Sequence, residues 1–122
     1  MNDQSKLQIA EHPRGDVSVL TLSGELTLDD GDLAFRHHVE QMIAADRCRI
    51  VVDLSEVRYI DSAGVGMLVA ESKRATERGG SMRLARLTAR SHHLFALLKL
   101  KFVFEIYDDV ESAVRSFAFR PR

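Results

Sequence analysis

Residues 50–78 read IVVDLSEVRYIDSAGVGMLVAESKRATER, and this stretch decides the fold. It opens on an apolar strand, Ile50, Val51, Val52 and Leu54, interrupted only by Asp53. A short polar step leads to Tyr59-Ile60 and then to Asp61-Ser62-Ala63-Gly64. The apolar run that follows passes into Glu71, Lys73, Arg74, Glu77 and Arg78 and stops at Gly79-Gly80, the pattern of a helix with its C-terminal signal. Asp and Ser are both good N-caps, because a side-chain oxygen accepts from the N–H groups that a first turn leaves unpaired. Either Asp61 or Ser62 can therefore start the helix. The Ser62 hydroxyl then lies at the helix entrance, where free donors and the macrodipole favour an anion.

The first half of this helix has no polar side chain on any face from Ala63 to Ala70. Helical spacing lets Val65, Leu68, Val69 and Ser72 share the side that lies on a sheet, while Gly64, Gly66, Met67 and Ala70 fall elsewhere. Each glycine costs about 1 kcal/mol of helix propensity relative to Ala. A helix in a small domain usually turns one side to water. An outer side of small apolar residues therefore suggests a docking surface, although a second helix packed there would leave the same pattern.

Working outward, Leu7 and Ile9 suit a short strand, and His12-Pro13-Arg14-Gly15-Asp16 suits a turn. Val17 to Leu22 alternates as a half-buried strand, with Val17, Val19 and Thr21 on one side and Ser18, Leu20 and Leu22 on the other. A helix is predicted over Asp29 to Ala45, burying Phe35, Val39, Met42 and Ile43, with Asp29, Asp30 and Asp32 complementing its dipole. After the central strand and helix, Ser81 to Leu87 forms a strand, and Thr88 caps a helix in which Ser91, Leu94, Phe95 and Leu98 share a face. Val103 to Tyr107 closes the sheet. Asp108-Asp109-Val110-Glu111 looks like a capping box before a stripe of Val110, Ala113, Val114 and Phe117, and Phe119 to Arg122 is expected to fray.

Strands and helices thus alternate after an opening hairpin. The expected fold is an α/β domain with a mixed, mostly parallel sheet of about five strands. Right-handed crossovers between neighbouring strands place four helices mainly on one face. Arg83, Ser18 and Glu105 at polar positions suggest that the other face is wetter.

The segment Val51-Val52-Asp53-Leu54, the step Ile60-Asp61-Ser62-Ala63-Gly64-Val65-Gly66, Gly79-Gly80 and the upstream Leu22-Ser23-Gly24-Glu25-Leu26 together resemble the STAS domain family. Within it the chain looks like the bacterial anti-sigma factor antagonists, over roughly residues 5 to 118. The resemblance implies that Ser62 is phosphorylated by a partner that is both anti-sigma factor and ATP-dependent serine kinase. It also implies that the unphosphorylated form binds this partner and releases its target, and that a serine phosphatase resets the cycle. Asp61, Ser62, Ala63, Gly64, Gly66, Met67, Ala70, Glu25 and Thr27 are the expected partner-binding residues. Thr27 is a departure, since the family often has Asp directly after the Gly-Glu-Leu step.

Composition agrees with such a module. The 122 residues suit one domain able to bury about two-thirds of its unfolded surface. Apolar residues at 45% and charged residues at 29% are ordinary globular values, which argues against a disordered or membrane-spanning chain. The polar start Met1-Asn2-Asp3-Gln4-Ser5-Lys6 has no signal-peptide core, and Cys48 has no second cysteine to pair with. A cytoplasmic protein with no membrane insertion is expected.

Other chemistries fit poorly. Ile60-Asp61-Ser62-Ala63-Gly64 matches half of a hydrolase nucleophile elbow, but its first glycine is Ile60. His92 and His93, the available triad partners, suit an exposed helix side. Gly64-x-Gly66 meets Val69 where a dinucleotide fingerprint needs a third small residue, and no Gly-Lys-Ser/Thr follows. The adjacent pairs His37-His38 and His92-His93 point about 100° apart on a helix and cannot chelate as an i, i+4 pair. A net charge of −1 opposes general nucleic-acid binding, despite the acid-free run from Ser81 to Phe104 with Arg83, Arg86, Arg90, Lys99 and Lys101. The expectation is a phosphorylation-controlled binding switch that catalyses no reaction and needs no cofactor or metal. The alternative is a non-phosphorylated STAS adaptor in a transporter or other multiprotein complex.

Overall fold

The computed structural model describes residues 6–28, 31–100 and 103–117. The elements run β1 (Leu7–Arg14), β2 (Val17–Leu26), α1 (Gly31–Ala44), β3 (Arg49–Ile60), α2 (Ser62–Glu77), β4 (Ser81–Ala85), α3 (Ala89–Leu97), β5 (Ile106–Tyr107) and α4 (Val110–Ser116). The five strands lie side by side in chain order, with β1–β2 antiparallel and every other pair parallel. Each parallel pair is joined by one crossover helix, so α1, α2 and α3 stack on the same face. There Phe35, Val39, Met42, Val65, Leu68 and Phe95 close over Leu20, Leu22, Ile50, Val52, Leu54 and Leu84.

The opposite face is drier than its alternation suggests. Helix α4 crosses it, and Ala113 and Phe117 bury Val17, Val19, Val51 and Ala85. Ser18 is buried too, and Arg83 stacks its guanidinium 4.0 Å from the Phe117 ring centroid while donating to Ser116 Oγ. The β2 strand is therefore buried on both sides. Of the three residues expected to mark a wet face, only Glu105 is exposed.

Several boundaries also shift. The opening hairpin turns at Gly15-Asp16 alone, with Gly15 at φ +66°, and Pro13 lies inside β1. An edge strand tolerates Pro because its missing N–H is not needed by a neighbour. Strand β3 continues past Leu54 to Ile60, because two register shifts against β2 absorb the polar step. At the first, the Asp53 carboxylate accepts from Ser55 N–H at 3.0 Å. Strands β4 and β5 are shorter than expected. Asp109 caps α4 by accepting from Ser112 N–H, while Glu111 instead holds Arg14 of β1 in a two-point ion pair. The expected acids Asp29 and Asp30, the side chain of Asp32 and the tail 119–122 lie outside the described residues.

Candidate functional site at the entrance of α2

The β3–α2 junction is built by one carboxylate. Asp61, in an extended conformation, is the N-cap: its Oδ1 accepts from Gly64 N–H at 2.9 Å and its Oδ2 accepts from Leu28 N–H at 3.1 Å. Its own N–H donates to Leu26 carbonyl at 3.4 Å. Ser62 is thus the first helical residue, and it is exposed. The far end closes as a Schellman motif. Gly79, at φ +85°, donates to Thr76 carbonyl, and Gly80 donates to Ala75 carbonyl.

Helix α2 divides into two sides. The inner one is Gly64, Val65, Leu68, Glu71 and Ala75, all buried. The expected inner residues Val69 and Ser72 are only half-buried, and Glu71 takes the central place instead. Gly64 is not on the outer surface: a Cβ there would stand 2.1 Å from Leu26 carbonyl oxygen. The outer side carries exposed Ser62, Gly66 and Ala70 one turn apart, flanked by half-buried Ala63 and Met67. A Cβ on Gly66 would meet nothing within 4 Å.

Of the nine residues expected to bind a partner, the structure clusters most at this end of the sheet. Half-buried Glu25 pairs in register with Tyr59, and Thr27 sits between Leu26 and Leu28, both bonded to Asp61. Ala70 lies about 12 Å along the helix from Ser62, at 1.5 Å per residue. The sequence reading missed Leu28, which is 69% exposed, and Tyr59, 50% exposed with Arg90 5.6 Å from its ring centroid. The signal was present: Leu28 falls outside every apolar period, and Tyr59 follows Arg58 at the polar end of β3.

A second charged cluster lies between α1 and α2. Glu71 is 1% exposed and faces Arg74 Nε at 3.3 Å, too poorly aligned to hydrogen-bond either carboxylate oxygen. Burial, then the nearby Glu40 charge, pushes its pKa up, against the pull of Arg74 and Arg36. Glu40 also meets Arg74 at 3.4 Å and Arg36 at 3.1 Å. A cleft of about 320 Å³ opens here, lined by Glu40, Ile43, Ala44, Arg74, Glu77 and Arg78 at the other end of α2 from Ser62. The histidines are not assembled either. His37 and His93 are exposed, half-buried His38 meets Glu11 at 3.1 Å, and burial lowers the His38 pKa. Among the described residues no group of His, Cys, Asp and Glu could hold a metal ion, and no helix is long and apolar enough to cross a membrane.

A mixed, mostly parallel sheet with its crossover helices on one side, and an exposed serine following the Asp61 cap of the central one, defines a recognisable class. The family model described as "Mlab, STAS domain" matches residues 9–104, and the chain belongs to the STAS domain family, in its anti-sigma factor antagonist type. An anti-sigma F factor antagonist from Paenibacillus polymyxa is 30% identical over 105 residues, 85% of this chain and 88% of that relative. Among solved structures, an anti-sigma factor antagonist from Mycobacterium paratuberculosis has a TM-score of 0.82 at 20% identity, covering 93% of this chain and 95% of that one. The phosphorylated form of SpoIIAA, a Bacillus cell fate determinant, has a TM-score of 0.71 at 17% identity, covering 90% of this chain and 99% of that one. At those identities the two structures speak for the fold.

Proposed function

We propose that this chain is a cytoplasmic anti-sigma factor antagonist that works as a phosphorylation-controlled partner switch and catalyses no reaction itself. The observation that carries the proposal is Ser62, exposed at the first turn of α2 and continued by Gly66 and Ala70 on a side no part of the described chain covers. Gly66 has no packing or backbone reason to be glycine, yet it costs the helix about 1 kcal/mol. A partner that approaches the helix backbone closely supplies the reason. The relatives named as anti-sigma factor antagonists support an anti-sigma factor as that partner.

In the switch, Ser62 Oγ attacks the γ-phosphorus of ATP held by the partner. An O–P bond forms, the bond to ADP breaks, and the hydroxyl proton passes to a base on the kinase. The product carries about 1.5 to 2 extra negative charges. Free in water the helix mouth tolerates that charge. Against the partner it must be desolvated beside the Asp61 carboxylate, whose oxygens are already occupied by backbone N–H groups. About 4 kcal/mol of added cost is a thousandfold loss of affinity. A serine phosphatase restores the hydroxyl by hydrolysis.

The test uses Ser62→Ala and Ser62→Glu chains as baits in a lysate of the source organism, with phosphosite mass spectrometry on the wild type. Capture of an ATPase-type serine kinase by Ser62→Ala, its loss with Ser62→Glu, and phosphate on Ser62 are expected. Equal capture by both baits would overturn the switch. Recovery of transporter subunits in their place would establish the adaptor alternative.

A further inference from the structure

We infer that Asp61 is a positioning residue that ties the exposed Leu28 beside Ser62, and that a phosphoryl group on Ser62 loosens this tie. The inference rests on Ser62 being the modified residue and adds a second route by which modification acts. A capping role needs one side-chain oxygen, and Ser or Asn at this position would supply it. Asp61 uses both of its oxygens, and the second one reaches 33 residues back to Leu28 N–H. Two further contacts brace the same joint: Asp61 N–H donates to Leu26 carbonyl, and that carbonyl oxygen occupies the place a Gly64 Cβ would take. The end of β2 is thereby held against the first turn of α2, and Leu28 projects from it with 69% of its surface exposed. A partner that covers this water-facing leucine, held beside Asp61, gains the burial of an apolar side chain.

Phosphate disturbs this joint in two ways. Its charge lies one residue from the Asp61 carboxylate and repels it. Its oxygens also compete for the N–H donors that Asp61 now occupies at the helix mouth. Among the described residues Leu28 N–H reaches the Asp61 carboxylate across a separation of 33 residues, whereas Gly64 N–H belongs to the same first turn as Ser62. Leu28 is therefore the group that lets go.

The experiment installs phosphoserine at position 62 of the full chain by genetic incorporation and follows amide hydrogen exchange by NMR, with neither kinase nor partner present. Leu28 N–H is expected to exchange about tenfold faster in the phosphorylated chain, while Gly64 N–H changes by less than about twofold. Asp61→Ser, which keeps a cap but has one oxygen, is expected to speed Leu28 exchange without any phosphate. The inference is overturned if Leu28 exchanges at an open-peptide rate in the unmodified chain, if phosphate leaves its rate unchanged, or if Asp61→Ser protects it as the wild type does. Should Asp61→Ser fail to fold, the phosphoserine measurement decides alone. A Leu28 amide indifferent to phosphate leaves the partner-capture test standing, and partner capture indifferent to residue 62 leaves the exchange result standing, so the two failures are told apart.

Discussion

Gly64 and Gly66 are two residues apart on one helix, and they are glycines for opposite reasons. Gly64 faces inward, where Leu26 carbonyl oxygen occupies the position of a side chain. Gly66 faces outward into open space. One is demanded by the chain's own packing, and the other is a stability cost with no internal return. The comparison shows how identical letters in sequence can answer to different constraints, one set by the chain's own packing and one not. They separate only once the phase of the helix is known.

Substitutions at these two sides should therefore diverge in sign. The largest effect is expected from Gly64→Ala, which drives a methyl group into backbone rather than into a movable side chain. A loss of about 3 kcal/mol or more, read from denaturant midpoints, is expected. A loss under about 0.5 kcal/mol would mean that the α2 entrance is not held against β2 and would erase the contrast.

Glu71 sharpens the inner side by pH. Burial, reinforced by Glu40, makes the folded chain hold this proton more tightly than the unfolded chain does. Its favourable contribution is complete below the ordinary glutamate range and fades as pH rises through the raised folded value. Glu71→Gln should flatten that decline and raise the melting temperature at pH 8 by several degrees, leaving acidic pH little changed. Thermal melts across pH that keep the wild-type slope in the variant would show that another group titrates.

The smallest effect, and the most discriminating, is expected at Gly66→Ala. Helix propensity predicts a gain of about 0.5–1 kcal/mol, the reverse of Gly64→Ala. If a partner backbone packs there, the same methyl group should weaken capture about tenfold while the fold becomes firmer. A destabilised Gly66→Ala chain would break the comparison outright.

Much of this was legible in the sequence, for reasons that individual residues make plain. Gly79-Gly80 stops α2, Thr88 caps α3 by accepting from Ser91 N–H, and Phe35, Val39, Met42 and Ile43 bury one side of α1. Each of these signals is local, so one sequence suffices to read it. The phase of α2 was not local. With every residue from Ala63 to Ala70 apolar, no polar contrast marks which side faces in, and Glu71 misleads because its charge argues for water. The second dry face was hidden likewise, since Val17 and Val19 are covered by Ala113 and Phe117 from the far end of the chain. At the site, Asp61 and Ser62 were visible as a cap and a hydroxyl. Leu28 could be seen to fall outside the apolar periods, but its tie to Asp61 is a hydrogen bond spanning 33 residues, which no spacing rule reports.

Pro13 has a consequence for how this molecule is handled by others. Among the described residues β1 is the long border strand of the sheet, and the opposite border, β5, is only two residues. A visiting strand that tried to zip along β1 would reach a rung without a donor. Visitors are thereby steered away from sheet-extending, slow-to-reverse attachment and toward the helical end. For a chain proposed to bind and release its partner, Pro13 makes β1 a poorer competitor to the helical end.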